Sequence, residues 1–239
     1  MKRLTTIWML LALPLLALRA QDAAVANGEP STTKLDLTEI LKSSQTFTNS
    51  VGMEMIPSGN LWAGKYEVTQ DAYNKVTGGN PSHFAATNRP VDSVSWNNAM
   101  DFCRKLTEME RKESNLPTNF VYTLPTEAQW ETLVADASLD DSVTSQKGMG
   151  ARKSTEPVGS LKPNSLGLYD TRGNVMEFTL DWHDPSQTYR VLRGGGYDTW
   201  FEVNLRTVFR HYAKSPDAAQ DDFGFRCVLV KQTPPPADR

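Results

Sequence analysis

The chain has 239 residues, with 25 basic and 28 acidic side chains, a net charge of −3 and 39% hydrophobic residues. That balance lacks the excess of Lys and Arg that nucleic-acid binding requires. The length suits one domain with a sizeable core.

Lys2 and Arg3 precede an apolar run from Ile7 to Leu18, broken only by Pro14, and Ala20 offers a small exit residue. A basic start, a short apolar stretch and a small residue predict a secretory signal peptide over residues 1–20. The run falls short of the roughly 20 apolar residues of a bilayer span, and a retained N-terminal anchor is the alternative. Cleavage removes Lys2, Arg3 and Arg19 and no acids, leaving 22 basic against 28 acidic residues, a net charge of −6. The expectation is an exported chain, periplasmic or secreted, with no stable membrane span after cleavage.

Residues 21–45 read as a spacer or N-terminal arm with a short helix around Leu35–Leu41. The main domain is expected over 46–231. Residues 232–239, which include Pro234, Pro235 and Pro236, are expected to form a disordered tail.

Within the domain, the pattern predicts strands at Thr46–Ile56 and Lys65–Thr69, then a helix over Asn97–Arg111 with Ser95 as its N-cap. A second helix is predicted over Thr126–Val134, where Thr126 and Gln129 have capping-box spacing. Further strands are expected at Arg190–Arg193 and Gly224–Val230. Clusters such as Gly78-Gly79-Asn80-Pro81 and Gly194-Gly195-Gly196 mark tight turns. Two main helices, short strands and much irregular chain predict an α+β fold with a high loop fraction. Cys103 and Cys227, the chain's two cysteines, permit one long-range disulfide in an oxidising compartment. Two separate buried thiols remain the other reading.

The motifs, taken in order, carry a resemblance. They run FTNSVGM from Phe47, KYEVTQ from Lys65, Arg89-Pro90-Val91 with Val94-Ser95-Trp96, and AMDFC from Ala99. Then come LPTEAQWE from Leu124, PVGS from Pro157, GLYD from Gly167, GNVMEF from Gly173, RVLRGG from Arg190 and GFRC from Gly224. In this order they resemble the formylglycine-generating enzyme, or sulfatase-modifying factor, family over about Phe47 to Val230. The resemblance implies a loop-rich fold related to C-type lectins and a structural disulfide between Cys103 and Cys227. Arg206, Arg210 and Arg226 are candidates for bidentate pairs with acids such as Glu127 or Glu177.

The resemblance also implies an activity, oxidation of a cysteine in a Cys-x-Pro-x-Arg peptide with oxygen and copper. Two thiolates just after a Gly-Gly-Ser turn would bind the metal, since soft thiolates select Cu(I). Here Thr199 and Asn204 stand at the cysteine positions and Gly196 at the serine. Copper is therefore not expected, and no catalytic residue is assigned.

A structural Ca²⁺ is implied at Asn174, Val175 and Glu177, whose oxygens suit a hard cation. A second calcium site, from residues 136–155, is not expected. The histidines His83, His183 and His211 show no paired spacing, and His183-Asp184 beside Asp181 is the one local cluster to inspect. Gly-x-Ser-x-Gly is absent, which gives no support to a serine hydrolase.

Tyr197, Asp198, Trp200, Phe201 and His211 are the candidate ligand-binding residues, because aromatics interspersed with polar groups suit peptide, protein or glycan recognition. The leading expectation is a non-catalytic binding module in the envelope or outside the cell. The alternatives are an enzyme of the same superfamily modifying a secreted protein or peptide oxidatively without cysteine chemistry, and an envelope assembly component.

Overall fold

The computed structural model describes residues 36–145 and 152–232. The predicted signal peptide, most of the spacer and nearly all of the C-terminal tail lie outside them.

The first element, α1 (Leu37–Ser43), is capped by the Asp36 side chain, which accepts from the Thr38 N–H. Leu37 and Leu41 point inward and are buried. The end of the predicted spacer is thus a docked helix, and the packed domain begins before residue 46.

The stretch from Thr46 to Ile56 is two strands rather than one, β1 (Phe47–Thr48) and β2 (Glu54–Ser58). Asn49 makes the intervening turn by accepting the Val51 and Met53 N–H groups on its side-chain oxygen. β2 continues into β3 (Leu61–Gly64) through a tight turn, with Ser58 opposite Leu61.

No strand forms over Lys65–Thr69. That segment dives inward instead and buries Glu67, whose carboxylate accepts from the Val175 N–H at 3.0 Å and the Asn174 Nδ2 at 2.7 Å. A helix that periodicity did not reveal follows, α2 (Gln70–Thr77), capped by Thr69 and ended by Gly78 at φ +80°.

The two predicted helices form with the predicted caps. α3 (Trp96–Glu113) starts at a capping box between Ser95 and Asn98, and α4 (Glu127–Val134) at one between Thr126 and Gln129. Between them lies β4 (Phe120–Thr123), and the second half of the chain adds β5 (Met176–Trp182), β6 (Arg190–Arg193) and β7 (His211–Ala213). The predicted last strand is again two, β8 (Phe223–Gly224) and β9 (Val228–Lys231), so that each half joins a different sheet.

One sheet has the order β1-β2-β3-β9-β4 and the other β7-β6-β5-β8. Leu229 of β9 sits between Trp62 and Tyr122, so the final strand ties the early hairpin to β4. The core contains Phe102, stacked on Tyr73 at 5.6 Å and met edge-on by Phe225 at 5.3 Å. Trp130, in the middle of α4, is fully buried, and its indole N–H donates to Glu177 at 2.8 Å. Among the described residues, no helix is long and apolar enough to cross a membrane.

Candidate functional site

The scaffold beneath the candidate site is a buried charge network. The Arg226 guanidinium, fully buried, donates to Glu177 (2.7 and 3.0 Å) and to the Gly64 and Tyr169 carbonyls. Burial first, then the neighbouring Asp170 and Glu177 carboxylates, push the Glu67 carboxyl well above its ordinary range. Of the expected arginine pairs, Arg226–Glu177 and Arg210–Glu127 form, the latter bidentate at 2.7 and 2.8 Å. Arg206 instead reaches Glu202 at 3.8 Å on the surface. Arg193, which sequence reasoning did not pick as an ion-pair partner, is buried against Glu127 and Glu131 and lies over the Trp130 ring.

This network bears on the calcium expectation at Asn174, Val175 and Glu177. Both Glu177 oxygens accept from Arg226, and one also accepts from Trp130. The Asn174 side-chain oxygen accepts the Glu156 N–H. A divalent cation would have to displace a buried guanidinium, so these residues as arranged do not fit Ca²⁺. Among the described residues, no three His, Cys, Asp or Glu side chains are grouped to hold a metal ion.

From β6 the chain turns sharply through Gly194 (φ +92°) and Gly195 (φ +74°). A methyl on Gly195 would lie 2.6 Å from Leu205, the one buried side chain of a short 3-10 turn over Glu202–Leu205. Glycine is thus needed there both for the backbone and for the close approach. Thr199 Oγ1 accepts the Gly196 N–H at 2.9 Å and closes the turn. The His211 ring meets the Asn204 carbonyl at 3.0 Å. Thr199 and Asn204, at the family's cysteine positions, therefore knit the loop to itself, and neither carries a thiolate for copper.

The predicted ligand residues divide. Trp200 is 58% exposed and Phe201 70% exposed, and Asp198 is also exposed. Tyr197 is buried instead, with its ring edge-on to Phe84 at 5.2 Å and its hydroxyl donating to Asp221 at 3.2 Å. His211 is half-buried and packs on Phe209. Burial lowers its pKa, and the nearby Arg193 acts in the same direction. It pins the loop rather than facing outward. The His183-Asp184 cluster disperses, because Asp184 caps a turn at Thr188 and Tyr189 and Asp181 accepts the Glu127 N–H.

Further exposed apolar residues occur outside the candidate set. Val208 (81% exposed), Val203, Tyr212 and Tyr189 are also exposed, and the rings of Tyr189 and Tyr212 lie 5.3 Å apart. Asp222 is only 5% exposed and its Oδ1 has no hydrogen-bond partner. Burial first, then repulsion from Asp198, Asp221 and Asp92, push its carboxyl up to about 7. The run Gln220-Asp221-Asp222 just before GFRC was the signal available, but a surface charge pair reads the same way in sequence.

Cys103 and Cys227 are buried and their sulfurs lie 3.6 Å apart as free thiols. They are adjacent, although no bond joins them in this structure.

The α+β fold, the buried Arg226–Glu177 pair and the Gly194–Gly195 turn define a domain of the sulfatase-modifying class. The family model described as "Sulfatase-modifying factor enzyme 1-like domain" matches residues 31–231, and the chain belongs to that family. It is 26% identical over 243 aligned positions to "Chaperone protein LppX" of Paenibacillus barcinonensis, covering 78% of this chain and 86% of that one. It is 28% identical to the formylglycine-generating enzyme of Streptomyces coelicolor, covering 59% of this chain and 52% of that one, so it spans about half the enzyme's length. Among solved structures, Treponema denticola variable protein 1 superposes with a TM-score of 0.63 at 24% identity, covering 77% of this chain and 98% of that one, which shows the fold.

Proposed function

We propose that this chain is an exported, non-catalytic binding module of the family, recognising a peptide, protein or glycan in the envelope or outside the cell. The observation that carries this reading is the loop after Gly196. Where the family places its copper thiolates, this chain has a turn closed by Thr199, and the turn presents Trp200 and Phe201 to solvent. Large exposed aromatics on a loop anchored by buried side chains mark a recognition surface. That a relative matched over most of its length is named a chaperone protein agrees with binding rather than turnover.

Export rests on the apolar run between Lys2 and Leu18 and carries a redox corollary. In an oxidising compartment, the adjacent Cys103 and Cys227 thiols are expected to join as a disulfide.

Retention of the purified protein on a peptide or glycan array, abolished by Trp200→Ala with an unchanged melting temperature, is the expected result. Conversion of a Cys-x-Pro-x-Arg peptide to formylglycine with added copper would overturn the non-catalytic reading.

A further inference from the structure

A cavity of about 140 Å³ opens between residues 136–142, which follow α4, and residues 162–172, which lead toward β5. Asp136 and Asp141 line it from the first segment, and Lys162, Asn164, Asp170 and Arg172 from the second. Asn164 ties the two together. Its Nδ2 donates to the Leu133 and Val134 carbonyls (2.7 and 3.1 Å), and its Oδ1 accepts the Leu166 and Leu168 N–H groups (3.0 and 3.1 Å). Asp136 adds a second tie by accepting the Ser165 N–H at 2.7 Å. The walls are therefore held by their own hydrogen bonds, and the space between them is preformed.

The charges around this space do not pair across it. The half-buried Arg172 side chain makes no hydrogen bond and no ion pair among the described residues, and its Nε is shut off from solvent. Burial lowers its pKa, with no carboxylate near enough to offset that. Asp170 is buried, and one of its oxygens accepts the Gly159 N–H at 2.7 Å while the other has no hydrogen bond among the described residues. Asp141 meets only the exposed Lys162, at 3.9 Å. A partly desolvated guanidinium without a partner is unfavourable, and so is a buried carboxylate oxygen without one. A bare anion in the cavity would be repelled by Asp136, Asp141 and Asp170, and a bare metal cation by Arg172 and Lys162. An occupant carrying both charges answers both sides.

We propose that this cavity binds a small zwitterionic α-amino acid, with its carboxylate on the Arg172 guanidinium and its ammonium on Asp141 and Asp170. The planar guanidinium suits a carboxylate bidentately, which orients the ligand as well as holding it. The volume equals that of about four or five water molecules, so glycine, alanine or serine fits and a bulky side chain does not. Neither Trp200 nor Phe201 lines this cavity. The site thus goes beyond the binding-module reading and stands or falls independently of it.

The test is isothermal titration calorimetry of the full exported chain with alanine, propionate, ethylamine and phenylalanine. Alanine is expected to bind saturably. Propionate, which lacks the ammonium, and ethylamine, which lacks the carboxylate, are both smaller than alanine and are expected to bind at least about 10-fold more weakly. Phenylalanine is expected not to bind. Arg172→Met is expected to abolish alanine binding with an unchanged melting temperature, since Arg172 holds nothing else in place. Asp141→Asn is expected to weaken alanine binding several-fold, and it keeps the test valid if Arg172→Met misfolds. No alanine binding, propionate binding as tight as alanine, or folded variants that bind alanine as the wild type does would each overturn the site. Phenylalanine binding as tightly as alanine would overturn its placement in so small a cavity. None of these outcomes touches the Trp200 reading, which the array tests separately.

Discussion

Glu67, Asp170 and Glu177 surround the Arg226 guanidinium in the scaffold, whereas Asp198, Asp221 and Asp222 crowd together with no Lys or Arg ion-paired to them among the described residues. In the first cluster, Glu67 accepts from Asn174 and Val175, Asp170 from the Gly159 N–H and Glu177 from Arg226. In the second, a buried oxygen of Asp222 accepts from nothing. The first arrangement is a cross-link, because Arg226 also binds backbone carbonyls from two distant segments. The second contributes nothing of that kind to stability. The contrast teaches that burying acids is a scaffold device only when each acceptor is met. Where one is left over, burial pushes the carboxyl up instead.

The comparison breaks most visibly at Arg226. Arg226→Met should destabilise the domain by about 3–5 kcal/mol, because it leaves several carboxylates buried without their cation. The urea midpoint measures this, and a loss below about 1 kcal/mol would mean that the first cluster is no cross-link.

At Asp222 the expected effect is smaller and depends on pH. Its folded carboxyl sits up at about 7, above the ordinary aspartate value near 3.9, so the native state holds a proton that the unfolded chain has released. Its contribution to stability is therefore full below about pH 4 and is lost as pH rises through about 7. The raised carboxyls of Glu67 and Asp170 act in the same direction. The lowered His211 ring acts oppositely, losing stability as pH falls through its ordinary value near 6.5. Subtracting the Asp222→Asn profile from the wild type isolates Asp222. The difference should grow across pH 4–7 to a stabilisation of the variant on the order of 2 kcal/mol. A flat difference would place the second cluster on the same footing as the first.

Much of the scaffold was legible because its signals are local. Ser95 with Asn98 and Thr126 with Gln129 mark helix starts within four residues of chain, and both caps form. The Lys65–Thr69 segment was misread as a strand because its fate depends on Asn174 and Val175, more than a hundred residues away. The calcium expectation could not take these tertiary contacts into account for the same reason. Asn174 and Glu177 have the right oxygens, but Arg226 and the Glu156 amide reach them first through tertiary contacts. At the loop, Trp200 and Phe201 could be named from sequence as aromatics just after the Gly194-Gly195-Gly196 turn. That Tyr197 turns inward while Trp200 turns outward goes with the Tyr197 contacts to Phe84 and Asp221, which no local pattern announces.

The smallest expected effect separates the two regions by their sensitivity. Trp200 makes no aromatic pair and no side-chain hydrogen bond among the described contacts, and more than half of its surface faces water. Trp200→Ala should shift stability by less than about 0.5 kcal/mol, as surface changes away from core features usually do. Trp130→Ala, the same chemical change one layer inward, should cost about 3–5 kcal/mol, because it empties a fully buried site and strips Glu177 of a donor. A melting-temperature comparison of the two variants therefore tests whether the loop is stabilised independently of its exposed indole. If Trp200→Ala instead unfolds the 202–205 turn, read as rapid proteolysis within 196–212, the indole is a structural anchor. The exposed face would then belong to the scaffold, as Trp130 does.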